Sequence, residues 1–169
     1  MIIRDATEQD WPQIHPFFAQ IVSAGETYAY PEDLSSEEAR ELWMAGPPGR
    51  TVVAVDGDTV LGSATMGPNR PGRGAHIATA SFMVDPAAAG RGVGRALGEE
   101  LLRWADVQRY RGIQFNAVVE TNAAAVTLWQ SLGFTVLATV PGAFRHPTHG
   151  YVGLHVMFRA LDGGAERRR

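Results

Sequence analysis

A chain of 169 residues and 18.3 kDa, 45% apolar and 20% charged, is long enough to bury a core as one domain and too apolar for disorder. It has no cysteine, and all 15 basic residues are arginine, which excludes disulfides, thiolate metal sites, a cysteine nucleophile, a P-loop lysine and a Schiff-base lysine. The net charge of −3, the charged opening Met1-Ile2-Ile3-Arg4-Asp5 and the lack of a long apolar run exclude a nucleic-acid footprint, a signal peptide and a membrane span, so a cytoplasmic protein is expected.

Ile2 and Ile3 predict a short opening strand. Thr7 caps a helix that begins around residues 8–11, with acids in its first turn, and Pro16 is expected to kink or shorten it. Residues 25–31 form a loop holding Tyr28 and Tyr30. Ser35 or Ser36 caps a second helix, which stops before Gly46-Pro47-Pro48-Gly49. A β-branched strand at 51–55, the turn Asp56-Gly57-Asp58 and a partner strand through Val60, Leu61, Ser63 and Thr65 read as a hairpin. After a loop at 67–74, residues 75–84 form a strand uncharged on both faces, as a central strand requires. A glycine-rich turn then opens a helix with Val93, Leu97, Leu101 and Trp104 on one face, broken at Gly112. A buried strand at 113–119 follows. Thr121-Asn122 caps a helix through Ala125, Leu128, Trp129 and Leu132 that ends at Gly133. A strand at 134–140, a loop at 141–150 and a strand at 151–159 complete the order. The prediction is one α/β domain with a mixed sheet over residues 1–161, and a flexible tail at 162–169.

The densest chemical signal is the strand Ser81-Phe82-Met83-Val84 running through Asp85-Pro86 into Gly90-Arg91-Gly92-Val93-Gly94-Arg95-Ala96. Such a turn gathers backbone N–H groups at the positive end of a helix dipole and suits a diphosphate, with Arg91 and Arg95 at the rim. Arg95 stands where the dinucleotide fingerprint needs its last glycine, so that motif fails. The plain alternative is a turn needed only for tight strand–helix packing. Downstream, Asn122 opens a helix that closes on Leu132-Gly133-Phe134.

Together, in this order and spacing, the two segments resemble the GNAT superfamily of acetyl-CoA-dependent N-acetyltransferases, and the element order agrees over nearly the whole chain. The family's glycine pattern begins with Gln or Arg; here that position is Ala89. The resemblance implies a mixed central sheet with splayed central strands flanked by helices. It implies that Phe82 and Val84 lend main-chain groups to the pantetheine arm; on chemical grounds the strand N–H groups from Phe82 through Met83 to Val84 are candidates to polarise the thioester carbonyl. It also implies that Gly90, Arg91, Gly92, Val93, Gly94, Arg95 and Ala96 hold the pyrophosphate. Asn122, with Ala125 and Trp129 on its helix, then meets the cofactor where the strands part. Many members carry a tyrosine acid where this chain has Trp129, and a glutamate base on the central strand, here Ile77-Ala78-Thr79-Ala80-Ser81. An indole N–H is no useful acid.

Other groups must therefore move the proton. Glu120 is a candidate base, directly or through water, against a plain reading as a solvated helix-cap carboxylate. Asn116, in a buried strand, fixes the substrate or pairs within the sheet. Tyr151 is the remaining tyrosine for thiolate protonation, against an ordinary strand tyrosine. Tyr28, Tyr30 and Phe144 are expected to wall the acceptor pocket, with Arg145 receiving a substrate carboxylate. His146-Pro147-Thr148-His149 lacks an acidic neighbour and is not read as a metal site. Without cysteine, transfer runs directly from thioester to amine. The expected acceptor is a small-molecule amine, including amino acids; a non-catalytic acyl-CoA-binding module and a protein acetyltransferase are the alternatives. The late strands are compatible with a homodimer.

Overall fold

The computed structural model describes residues 1–161; the predicted tail at 162–169 lies outside them. Seven strands form one sheet: β1 (Ile2–Asp5), β2 (Arg50–Asp56), β3 (Thr59–Pro68), β4 (Ile77–Val84), β5 (Gly112–Val119), β6 (Thr135–His146) and β7 (Gly150–Ala160). Their order in space is β1-β2-β3-β4-β5-β7-β6. Among the described residues only β4 and β5 run parallel. The helix between them, α3 (Val93–Val107), supplies the crossover that a parallel pair needs.

Alternation along β2 divides the core in two. Val52 and Ala54 face α3 together with Leu97, Leu101, Trp104 and Trp129. Val53 and Val55 face α1 (Trp11–Ala24) and α2 (Ser36–Trp43) with Ile14, Phe18 and Trp43. Leu97 and Leu101 are fully buried, each worth about 1.5–3 kcal/mol of apolar burial. The α2 start follows its sequence: Ser35 accepts from the Glu38 N–H, and the Glu38 carboxylate accepts from the Ser35 N–H. Across the sheet, α4 (Ala123–Ser131) packs on α3 because Gly98 has no side chain. A Cβ there would stand 2.7 Å from Leu132 Cδ1 and 2.9 Å from the Trp129 ring.

Three expectations are corrected. Pro16 does not shorten α1, which runs 14 residues through it. The proline removes one N–H, and the buried Ile14, Phe17, Phe18 and Val22 outweigh that loss. The break after α3 is not at Gly112 but at Arg109, a left-handed residue with φ 63°, while Gly112 opens β5. Residues 141–146 are not loop: β6 continues to His146, and the register shift between Val140 and Phe144 absorbs Pro141 and Gly142 as a bulge on an edge strand.

The feature that positions the site is a parting of strands. β4 and β5 pair only at Ile77–Gly112 and Ala78–Ile113, and beyond these they diverge. On its other side β5 loses register with β7 between Phe115 and Val118. Asn116 and Ala117 therefore bulge into the gap.

Candidate functional site

Alternate main-chain groups of β4 face the gap. Those of Ala78 lie at the last paired position, so those of Ala80, Phe82 and Val84 point into the opening, whereas those of Met83 face β3, which corrects the expectation that they serve the cofactor. Phe82 shows this directly. Its N–H donates to the Tyr28 hydroxyl at 2.8 Å, and that hydroxyl donates to the Phe82 carbonyl at 2.6 Å. Thus a phenol takes the place of the missing strand at this residue. Its ring stacks on Tyr30, 5.4 Å between centroids and 4° from parallel, and meets Trp43 edge-on. Burial pushes the Tyr28 phenol well above its ordinary pKa, opposed by the Phe82 main chain and less by the Ser81 hydroxyl, and burial also raises that of Tyr30, opposed by the Ser81 hydroxyl. Both stay protonated.

The gap widens into a cavity of about 490 Å³ that crosses the sheet. Its wall toward α4 holds Phe82, Phe115, Ala125 and Trp129, with Phe82 and Trp129 centroids 4.5 Å apart. Its wall toward α1 holds Tyr28, Tyr30, Thr79, Ser81 and Phe144. Thr79 and Ser81 carry no expectation from the sequence, although their alternation with Ala78 and Ala80 puts them on one face. Asn116 lines the cavity but is exposed rather than buried, because the bulge lifts it out of the sheet. Its amide donates to Asn69 Oδ1 at 2.7 Å and accepts from Gln114 Nε2 at 2.9 Å. Asn69 is a partner that no local pattern reveals.

Beyond Val84 the cavity meets a second hollow lined by Ala89, Gly90, Gly92, Val93, Gly94 and Arg95. Gly90 and Gly92 are left-handed, with φ 76° and 78°, and open space lies where a Cβ would project. Gly92 caps α3 without a side chain, and the first helical bond runs from the Ala96 N–H to the Gly92 carbonyl. The N–H groups of Gly92, Val93, Gly94 and Arg95 therefore precede the helix ladder and are available to an anion. Gly94 is helical rather than left-handed, so the turn's backbone angles do not demand glycine there. At the rim, Arg91 pairs with Asp56 at 2.7 Å and Arg95 donates to the Ser131 hydroxyl at 2.8 Å. Asn122 caps α4, its side chain accepting from the Ala125 N–H at 3.3 Å, and it lines the main cavity from the α4 side.

Three expected site residues are not brought into the cavity. Glu120 is exposed and outside its lining; its Oε1 accepts from the Gly153 N–H at 2.5 Å and ties the end of β5 to β7. Tyr151 is 75% exposed. It pairs in register with Arg145, and Phe144 with Val152, so strand alternation turns Tyr151 and Arg145 to the face opposite the buried Phe144. His146 Nδ1 accepts from the N–H groups of Thr148 and His149 and so closes a turn.

The acetyltransferase (GNAT) family model matches residues 11–134. A GCN5-related N-acetyltransferase from Kribbella flavida is 67% identical, with a TM-score of 0.92 over 95% of this chain and 97% of that one. The yncA protein from Salmonella typhimurium, solved with its cofactor acetyl-CoA, is 27% identical, with a TM-score of 0.81 over 96% and 94% of the two chains. The N-acetyltransferase aca1 of Schizosaccharomyces pombe is 28% identical across 80% of this chain and 72% of its own.

Proposed function

Because the chain belongs to the GNAT family of acetyltransferases and uses acetyl-CoA as co-substrate, we propose that it acetylates an amine of a small molecule, and that its site is the cavity between β4 and β5. The observation that carries this reading is the pairing of an open β4 edge with a glycine turn at its end. Gly90, Gly92, Val93, Gly94 and Arg95 fit a pyrophosphate, since the N–H groups of residues 92–95 precede the helix ladder beside left-handed Gly90 and Gly92; the Ala96 N–H is already bonded to the Gly92 carbonyl. Val84 fits the arm that leads inward, and the N–H of Phe82 is placed to polarise a carbonyl. Ala125 and Trp129 supply the apolar wall beside it, and Asn122 the corner where β5 ends.

Bound acetyl-CoA supplies an activated acyl group and a good leaving group. The chain supplies position and polarisation, and with no cysteine it forms no acetyl-cysteine. Tyr28, Tyr30 and Phe144 enclose the acceptor side with Thr79, Ser81 and Asn116 as its neutral polar groups. That enclosure favours a small amine over a protein segment. Arg145 and Tyr151 have no part in the reading, and Glu120 serves as a strand tie. A homodimer belongs to the proposal, supported by the exposed apolar side chains Leu137 and Val140 on the edge strand.

The test is thiol release from acetyl-CoA across a panel of small amines and, separately, peptides with free N-termini, with light scattering on the same sample for the dimer. Release with small amines and none with peptides is expected. Transfer to peptides alone overturns the small-molecule reading.

A further inference from the structure

The Tyr28 hydroxyl bridges the Phe82 N–H and carbonyl at the parting of β4 and β5, 54 residues away in sequence. A cofactor arm running inward from the glycine turn passes Val84 and reaches Phe82, whose N–H is the next donor facing the gap. The Tyr28 hydroxyl stands 2.8 Å from this N–H, so an acyl group whose carbonyl approaches it meets the Tyr28 ring. The ring is not free to retreat. It is stacked on Tyr30, which is itself stacked on Phe18 at 5.7 Å, it meets Trp43 edge-on, and its hydroxyl donates to the Phe82 carbonyl. Trp43 in turn is fully buried and donates to the Ser63 hydroxyl at 2.9 Å.

We propose that Tyr28 is the acyl-length determinant of this enzyme: its braced ring ends the acyl chamber so that an acetyl group fits beside Phe82 and a butyryl group does not. The inference rests on the functional reading above and goes beyond it, because that reading assigns no side chain to the choice of acyl length. The acyl carbonyl shares the Phe82 N–H with the Tyr28 hydroxyl. The ring, held by its stacking on Tyr30 and its edge contact with Trp43, stays in place as the stop. No other side chain of the cavity is both braced in this way and bonded to the β4 main chain among the described residues.

The test compares acetyl-CoA and butyryl-CoA by calorimetric affinity and by kcat/KM, for the wild type and for Tyr28→Ala. The wild type is expected to prefer acetyl-CoA by at least about tenfold, the scale at which an apolar pocket resolves added methylenes. In Tyr28→Ala the preference should shrink by about tenfold in both readouts. Tyr28→Phe retains the ring and should stay near the wild-type ratio. Equal binding and use of the two thioesters by the wild type, which needs no variant, overturns the inference and leaves acyl transfer standing. An unchanged ratio in Tyr28→Ala overturns it likewise. Failure of the wild type to bind either thioester overturns both this inference and the functional reading.

Discussion

Single side chains decide how the first helix is anchored. Arg4 holds Asp10 through two hydrogen bonds of 2.8 Å, and the Thr7 N–H adds a third at 2.7 Å. The Asp10 side chain is 7% exposed. The Arg4 guanidinium holds its carboxyl down to about 2, with burial opposing and the Thr7 N–H assisting. The folded value lies below the unfolded one, so the contribution to stability is present above pH ~4 and is lost as pH falls from about 4 to 2. Asp10→Asn should cost about 1–2 kcal/mol at pH 7. Denaturant titrations at several pH values should show wild type and variant converging toward pH 2. A gap that persists there would assign the effect to shape rather than charge. At the same scale, the sequence identified Tyr28, Tyr30 and Phe144 as aromatic walls. It misplaced Arg145 and Tyr151, because a loop reading of 141–150 hides the strand alternation that turns them outward. The Tyr28–Phe82 bridge had no local signature, since its two ends are neighbours only once α1 and β4 are packed.

Among the elements, those with strong period were legible. The β-branched run in β2 and the face of α3 through Leu97 and Leu101 landed as read, and the turn into α3 showed itself by its glycines. What failed was punctuation: Pro141 and Gly142 signal a loop, yet an edge strand accommodates them in a bulge. The glycine turn gives the sharpest element-scale prediction. Gly92 is left-handed with open space around its missing Cβ, so Gly92→Val strains the turn and thrusts methyls into the anion's place. CoA affinity should fall by about 1–3 kcal/mol, the worth of charge-assisted hydrogen bonds. The fold should survive, since Leu97 and Leu101 are untouched. Calorimetry on the folded variant checks it, and undiminished affinity would reduce the turn to a packing device.

Over the whole molecule, no helix among the described residues is long and apolar enough to cross a membrane. The two faces of the sheet are each covered by a helix pair, and the sheet itself is held across its middle by only two residue pairs between β4 and β5. A strand bonded on one edge and bare on the other keeps two clocks. The amides of Ser81 and Met83 face β3 and lie in its ladder, so they should exchange slowly with deuterated water. Those of Ala80 and Val84 face the gap and should exchange fast in the free protein, with Phe82 held back by the Tyr28 hydroxyl. Saturating acetyl-CoA should slow Ala80 and Val84 while leaving Ser81 and Met83 as they were, so that alternate amides along eight residues of one strand report occupancy of the cleft.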